Sequence, residues 1–169
     1  YEEGARKSIN RRVDNALNMK PGYARGKAIF TACRDSFLSG DPKIASKHMV
    51  AAINELRKEG RPEEVAEAFQ ILGSVAEQRG DLRAASDWFT EALNSWYESG
   101  SPEGLAGVYA RLGALCYRVD DLDNAQKYLT QALEIEEPLQ NPVRLCDAYR
   151  HVGMVKERLD LLTDAEECY

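Results

Sequence analysis

Apolar residues along this chain recur with the rhythm of helical faces, and nowhere with the alternation of strands. Ala5, Ile9, Val13, Ala16 and Leu17 fall on one side of a helix spanning about 2–19. Lys20-Pro21-Gly22 interrupts it, and the spacing then predicts helices over 23–38 and 42–58, divided at Ser39-Gly40-Asp41. The same pair returns as 62–78 with 82–97, and again as 102–118 with 122–136, where Glu137-Pro138 is expected to end it. A last pair opens at Asn141-Pro142. Its first helix is expected to reach Arg158, turn at Asp160, and be followed by a second helix running to Tyr169.

Beneath these helices lies a fixed period of 40. Gly73, Gly113 and Gly153 keep it, as do Ala45, Ala85, Ala125 and Ala165, the set Ala52, Ala92 and Ala132, and the prolines at 62, 102 and 142. Glycine inside a helix costs about 1 kcal/mol relative to alanine, so a glycine at one place in three helices implies close approach of a neighbouring helix there. Phe69, Leu72, Tyr109, Leu112, Tyr149 and Val152, facing Phe89, Leu93, Leu129 and Leu133, are expected to fill the remaining space. One such pair cannot bury its apolar face alone; stacked pairs can. The expected organisation is a single helical array over 1–169. It holds a leftover second helix at 2–19, repeats at about 22–60, 61–100 and 101–140, and a partial repeat at 141–169, and it reads as a piece of a longer chain.

Composition narrows the function classes. A net charge of -6 and a pI near 5.1 disfavour nucleic acid, which needs a basic face to displace counterions. No apolar run approaches the roughly 18 residues of a membrane span. Cys33, Cys116, Cys146 and Cys168 show no metal-binding spacing and stand where other repeats carry small or apolar residues, so they read as reduced, small hydrophobes in an intracellular, cytoplasmic setting. His48 and His151 lack catalytic partners at a suggestive spacing, and no phosphate-binding glycine motif occurs. The acid pairs Glu63-Glu64, Glu136-Glu137 and Glu166-Glu167 are assigned to helix ends and solvated faces. No catalytic residue, metal site or cofactor is expected.

The columns Phe69, Leu72-Gly73, Ala76, Ala85, Phe89 and Ala92, repeated as Tyr109, Leu112-Gly113, Cys116, Ala125, Leu129 and Ala132, resemble the tetratricopeptide repeat (TPR). Tyr149, Val152-Gly153, Ala165 and Tyr169 match a third time, and Ile29, Ala32, Cys33, Ala45, Met49 and Ala52 form a degenerate copy. The 40-residue unit is similar to the longer repeats of kinesin light chains and Pins-like adaptors. The resemblance implies an all-α fold, a right-handed superhelical α-solenoid of antiparallel helix pairs with about three full repeats. It also implies a concave groove lined by successive first helices, in which another protein's peptide or helix binds.

By register the groove positions include Phe30, Arg34 and Phe37; Gln70, Ser74 and Glu77; Arg111, Tyr117 and Arg118; and Arg150, Met154 and Arg158. The arginines either present forked donors to a partner's carboxylates or pair with Glu67, Glu77, Asp147 and Glu157; Phe30 and Phe37 either anchor a partner or pack on the preceding helix. Gly107, Ala110 and Ala114 leave mid-groove shallow. Phe30, Arg34, Ile71 and Gly107 occupy the places where carboxylate-clamping relatives carry lysines and asparagines, so that clamp is not expected. The implied function is a non-catalytic adaptor or scaffold. The alternative is a regulatory segment of a larger sensor, transcription regulator or transport assembly that self-associates through the array ends.

Overall fold

The computed structural model describes residues 2–167, with side chains for 3–162. Ala165, Glu166, Glu167, Cys168 and Tyr169 lie outside the described side chains. Among the described residues the chain is all-α: α1 (Glu2–Leu17), α2 (Tyr23–Leu38), α3 (Pro42–Lys58), α4 (Pro62–Gln78), α5 (Leu82–Ser99), α6 (Pro102–Arg118), α7 (Leu122–Leu139) and α8 (Pro142–Glu167). They divide into two compact units, Tyr1–Ser99 and Gly100–Tyr169. In the first, α2 pairs with α3 and α4 with α5, while α1 covers α2 and α3 joins the two pairs; in the second, α6 pairs with α7, and α8 packs on α7.

A left-handed residue ends each turn at twenty-residue intervals: Gly40, Gly60, Gly80, Gly100, then Asp120 at φ 64 and Gln140 at φ 50. The amide three residues past the ends of α2, α3, α4 and α6 closes the turn, as Asp41 N–H does on the Ser36 carbonyl and Asp121 N–H on the Cys116 carbonyl. Asp41, Ser101 and Asp121 then cap the next helix by accepting a backbone N–H on their side chains.

The small-residue columns mark helix contacts. A Cβ on Gly73 would lie 2.6 Å from the Phe89 ring, and one on Gly113 2.5 Å from Leu129 Cγ. Beside them Phe69 stacks on Trp88 at 5.7 Å and Tyr109 on Tyr128 at 6.1 Å between ring centroids. In the second unit Ala125, Leu129, Val152 and Val155 form a buried cluster edged by Cys116, Tyr117, Leu133 and Leu159.

Two helices depart from the expected boundaries by more than two residues. The helix α7 runs through Pro138, which sits in its final turn, and stops at Gln140, where the left-handed backbone sends the amide to the Glu136 and Glu137 carbonyls. In α8 the expected turn at Asp160 does not form, and one helix continues to Glu167. Asp160 has no glycine beside it of the kind that turns the chain at Gly40 and Gly80, and continuing keeps every intrahelical bond.

Among the described residues, one face of α8 consequently lacks the partner that α5 gives α4 and α7 gives α6. Tyr149, the counterpart of Phe69 and Tyr109, is 54% exposed rather than a core residue. Cys146, two helical turns before Gly153 on the same face, is exposed rather than a buried small hydrophobe. A Cβ on Gly153 would meet nothing within 4 Å.

Candidate functional site

The groove positions of the first unit lie on α2 and α4, and they are largely occupied by one another. Phe30 is fully buried. It is an interior residue and not an accessible anchor, because Lys27 and Arg34 lie over its ring, 5.5 and 5.4 Å from the centroid. Arg34 reaches Glu67 on α4 at 3.5 Å, and Lys27 holds Glu64, which also accepts from the Tyr23 hydroxyl at 3.3 Å. Phe37, Gln70, Ser74 and Glu77 are half-buried, and Glu77 is already engaged.

In the second unit the positions lie on α6 and α8. Arg111, Arg118, Arg150, Met154 and Arg158 are exposed and Tyr117 is half-buried. Tyr117 has two neighbours of different kinds: it packs against the apolar cluster, and Arg158 lies over its ring at 5.8 Å while pairing with Asp120 at 3.0 Å. Arg150 pairs along its own helix with Asp147 at 3.4 Å. Arg111 and Arg118 are engaged as well.

Between α6 and α8 opens a recess of about 300 Å³. Its α6 wall is Ala106, Gly107, Ala110, Arg111 and Ala114; α7 contributes Ala132 and Glu136; α8 contributes Arg144, Asp147, Ala148 and His151. Three small residues in successive turns of α6 leave this space open, as Gly107, Ala110 and Ala114 suggest from the sequence.

The recess also holds residues that the sequence reading passed over. Glu136, assigned to a solvated face, is 4% exposed. It continues the Ala125, Leu129, Ala132 stripe that faces inward on α7, and Leu56 and Trp96 fill its place in the earlier repeats. An acid in an otherwise apolar column is the signal that marks it. Arg144 binds Glu136 Oε1 at 2.5 Å and donates to the Glu103 carbonyl at 2.8 Å, tying α8 to both α6 and α7.

Among the described residues, the shifted titratable groups elsewhere are explained by burial and neighbouring charges. Burial pushes the Cys33 thiol up to about 12, and burial with the nearby Asp121 charge raises Cys116. Both behave as small apolar groups. Burial, helped by Lys47 and opposed by Asp14, lowers His48, and the hydrogen bond that Tyr149 donates to Glu137 raises that phenol. Among the described residues no cluster of three or more histidine, cysteine or acidic side chains could hold a metal, and no helix is long and apolar enough to cross a membrane.

Comparison with known proteins gives matches of two kinds. The family described as the MalT-like TPR region matches residues 11–168. The crystal structure of BtubC (BKLC) from P. vanneervenii is similar in fold, with a TM-score of 0.79 at 21% identity, over 99% of this chain and 70% of that one. No curated protein sequence matches the chain.

Proposed function

The chain belongs to the MalT-like TPR region family, and from that membership we propose that it is a non-catalytic adaptor whose α6–α8 face binds a segment of another protein. The TPR-like repeat fold supports an interaction or scaffold type of module in general. The finer reading rests on one observation: the open recess between α6 and α8, floored by small residues and rimmed by charged ones. Small residues let a partner's backbone or side chain come close to the helix axis. The recess lining supplies Arg111, and Arg118, Arg150 and Arg158, exposed elsewhere on α6 and α8, would add charge-assisted contacts, with Tyr117 and Met154 as apolar anchors.

Charge reversal at Arg118 and Arg158 tests this face directly. It should weaken capture of a natural partner by the full chain, and unchanged affinity would count against the α6–α8 surface. For the first unit we propose a lesser part, because Phe30 is fully buried and Phe37, Gln70, Ser74 and Glu77 are half-buried.

A second reading, self-association, draws on the exposed Val143, Cys146, Tyr149 and Gly153 of α8. Light scattering separates the two. A mass that rises with concentration, and falls back on Tyr149→Lys, would favour self-association.

A further inference from the structure

We propose that α8 pairs with α8 of a second copy of this chain, antiparallel about a two-fold axis that passes between Gly153 and Met154. This deepens the self-association reading and rests on it. At about 100° per residue, Val143, Cys146, Arg150, Gly153, Glu157 and Leu161 fall on one stripe that spans about a quarter turn of the helix. The stripe lies opposite Val152 and Val155, which pack against Ala125 and Leu129 of α7. Val143 is 70% and Leu161 63% exposed, Cys146 is exposed, and Gly153 has open space before it.

The order of charges chooses the occupant. Arg150 and Glu157 are both exposed and stand seven residues apart, two turns along the same face. A parallel copy would set Arg150 beside Arg150 and Glu157 beside Glu157. In an antiparallel copy each lies about 5 Å along the helix from the axis, so Arg150 stands level with Glu157 of the other copy and two reciprocal ion pairs form. Leu161 then stands level with Cys146 of the other copy, with Val143 one turn beyond, and both ends of the contact are apolar. The present partner of Arg150 is Asp147 on its own helix at 3.4 Å, with side chains 58% and 61% exposed, a pair weak enough to exchange. Charges so arranged fix register more than affinity. One helix against one helix is a small contact, so the dimer belongs to the weak, transient class.

Light scattering of the full chain across concentration tests the pairing on wild type, Arg150→Glu, Glu157→Arg and the combined variant, with thermal melts to confirm folding. Wild type should pass from monomer to dimer and stop there, as a closed two-fold requires. Each single reversal sets two like-charge contacts across the axis and should raise the dimer dissociation constant about tenfold or more. The combined variant exchanges the charges and should return to near the wild-type constant. An equimolar mixture of the two single variants should dimerise as well, since one copy carries only glutamates and the other only arginines at these positions.

Wild type that stays monomeric at every concentration would overturn both the pairing and the self-association reading. Self-association in which the combined variant is no tighter than the single ones, or a mass that climbs beyond two copies, would overturn the pairing and leave self-association standing. If a reversal does not fold, Leu161→Cys decides. A short bismaleimide should join it to Cys146 of the other copy, and a dimer without that crosslink would overturn the pairing.

Discussion

Replacing Gly113 and Gly153 separately by alanine isolates what the glycine column does. Both glycines lie inside helices of the same unit, so each substitution gains the same helix propensity, about 1 kcal/mol. They differ in what the new methyl meets. At Gly113 it would lie 2.5 Å from Leu129 Cγ, 2.8 Å from Cδ2 and 3.3 Å from the Ala125 carbonyl oxygen. Leu129 is itself 1% exposed and has nowhere to go, so the overpacking cost should be about 1–3 kcal/mol. At Gly153 nothing lies within 4 Å. Propensity cancels between the two, leaving Gly113→Ala about 1–3 kcal/mol less stable than Gly153→Ala. Gly153→Ala itself should be neutral or stabilising by up to about 1 kcal/mol. Urea unfolding at matched m values reads the difference. Equal midpoints for the two variants would show that Gly113 is not held by close approach of α7, and the assigned register would fail with it.

Other outcomes follow from particular side chains. Gln140→Gly should stabilise by about 0.5–1 kcal/mol in the same assay, because glutamine at φ 50 has a left-handed penalty of about 1–2 kcal/mol that glycine's greater chain entropy only partly offsets. Arg144→Ala should cost about 3–5 kcal/mol by leaving the buried Glu136 carboxylate unpaired; a loss below about 1 kcal/mol would mean that the pair is not shielded from water. Cys33 is a weaker acid folded, near 12, than its ordinary 9.0. Its contribution to stability is thus complete below pH 9 and is lost as pH rises through 12, and Cys33→Ala should flatten this alkaline fall in thermal melts. With iodoacetamide at pH 8, exposed Cys146 should be alkylated well before Cys33, and equal rates on the native protein would contradict the burial.

The helix pairs were legible in the sequence because the signals that make them are local and repeated. Asp41, Ser101 and Asp121 cap where capping residues recur, and the bounds of α2, α3, α4 and α6 coincide with the expected ones. What escaped notice depends on partners rather than pattern. Gly153, Tyr149 and Cys146 carry the same column signature as residues buried against α5 and α7, and only the absence of a turn at Asp160 leaves them exposed. Phe30 sits at a groove position by register, but two cations close over it. Glu136 reads as half of a surface acid pair, and only its inward-facing stripe and Arg144 on the next helix show that it is enclosed.

Amide and methyl shifts of the isotopically labelled full chain, mapped during titration with a bound partner peptide, test the α6–α8 face most directly. The account predicts perturbations centred on Gly107, Ala110, Arg111, Ala114 and Met154, with Lys127 and Thr130 on the exposed side of α7 unmoved. Shifts concentrated at Lys127 and Thr130, or on the Cys146–Gly153 face of α8, would contradict it.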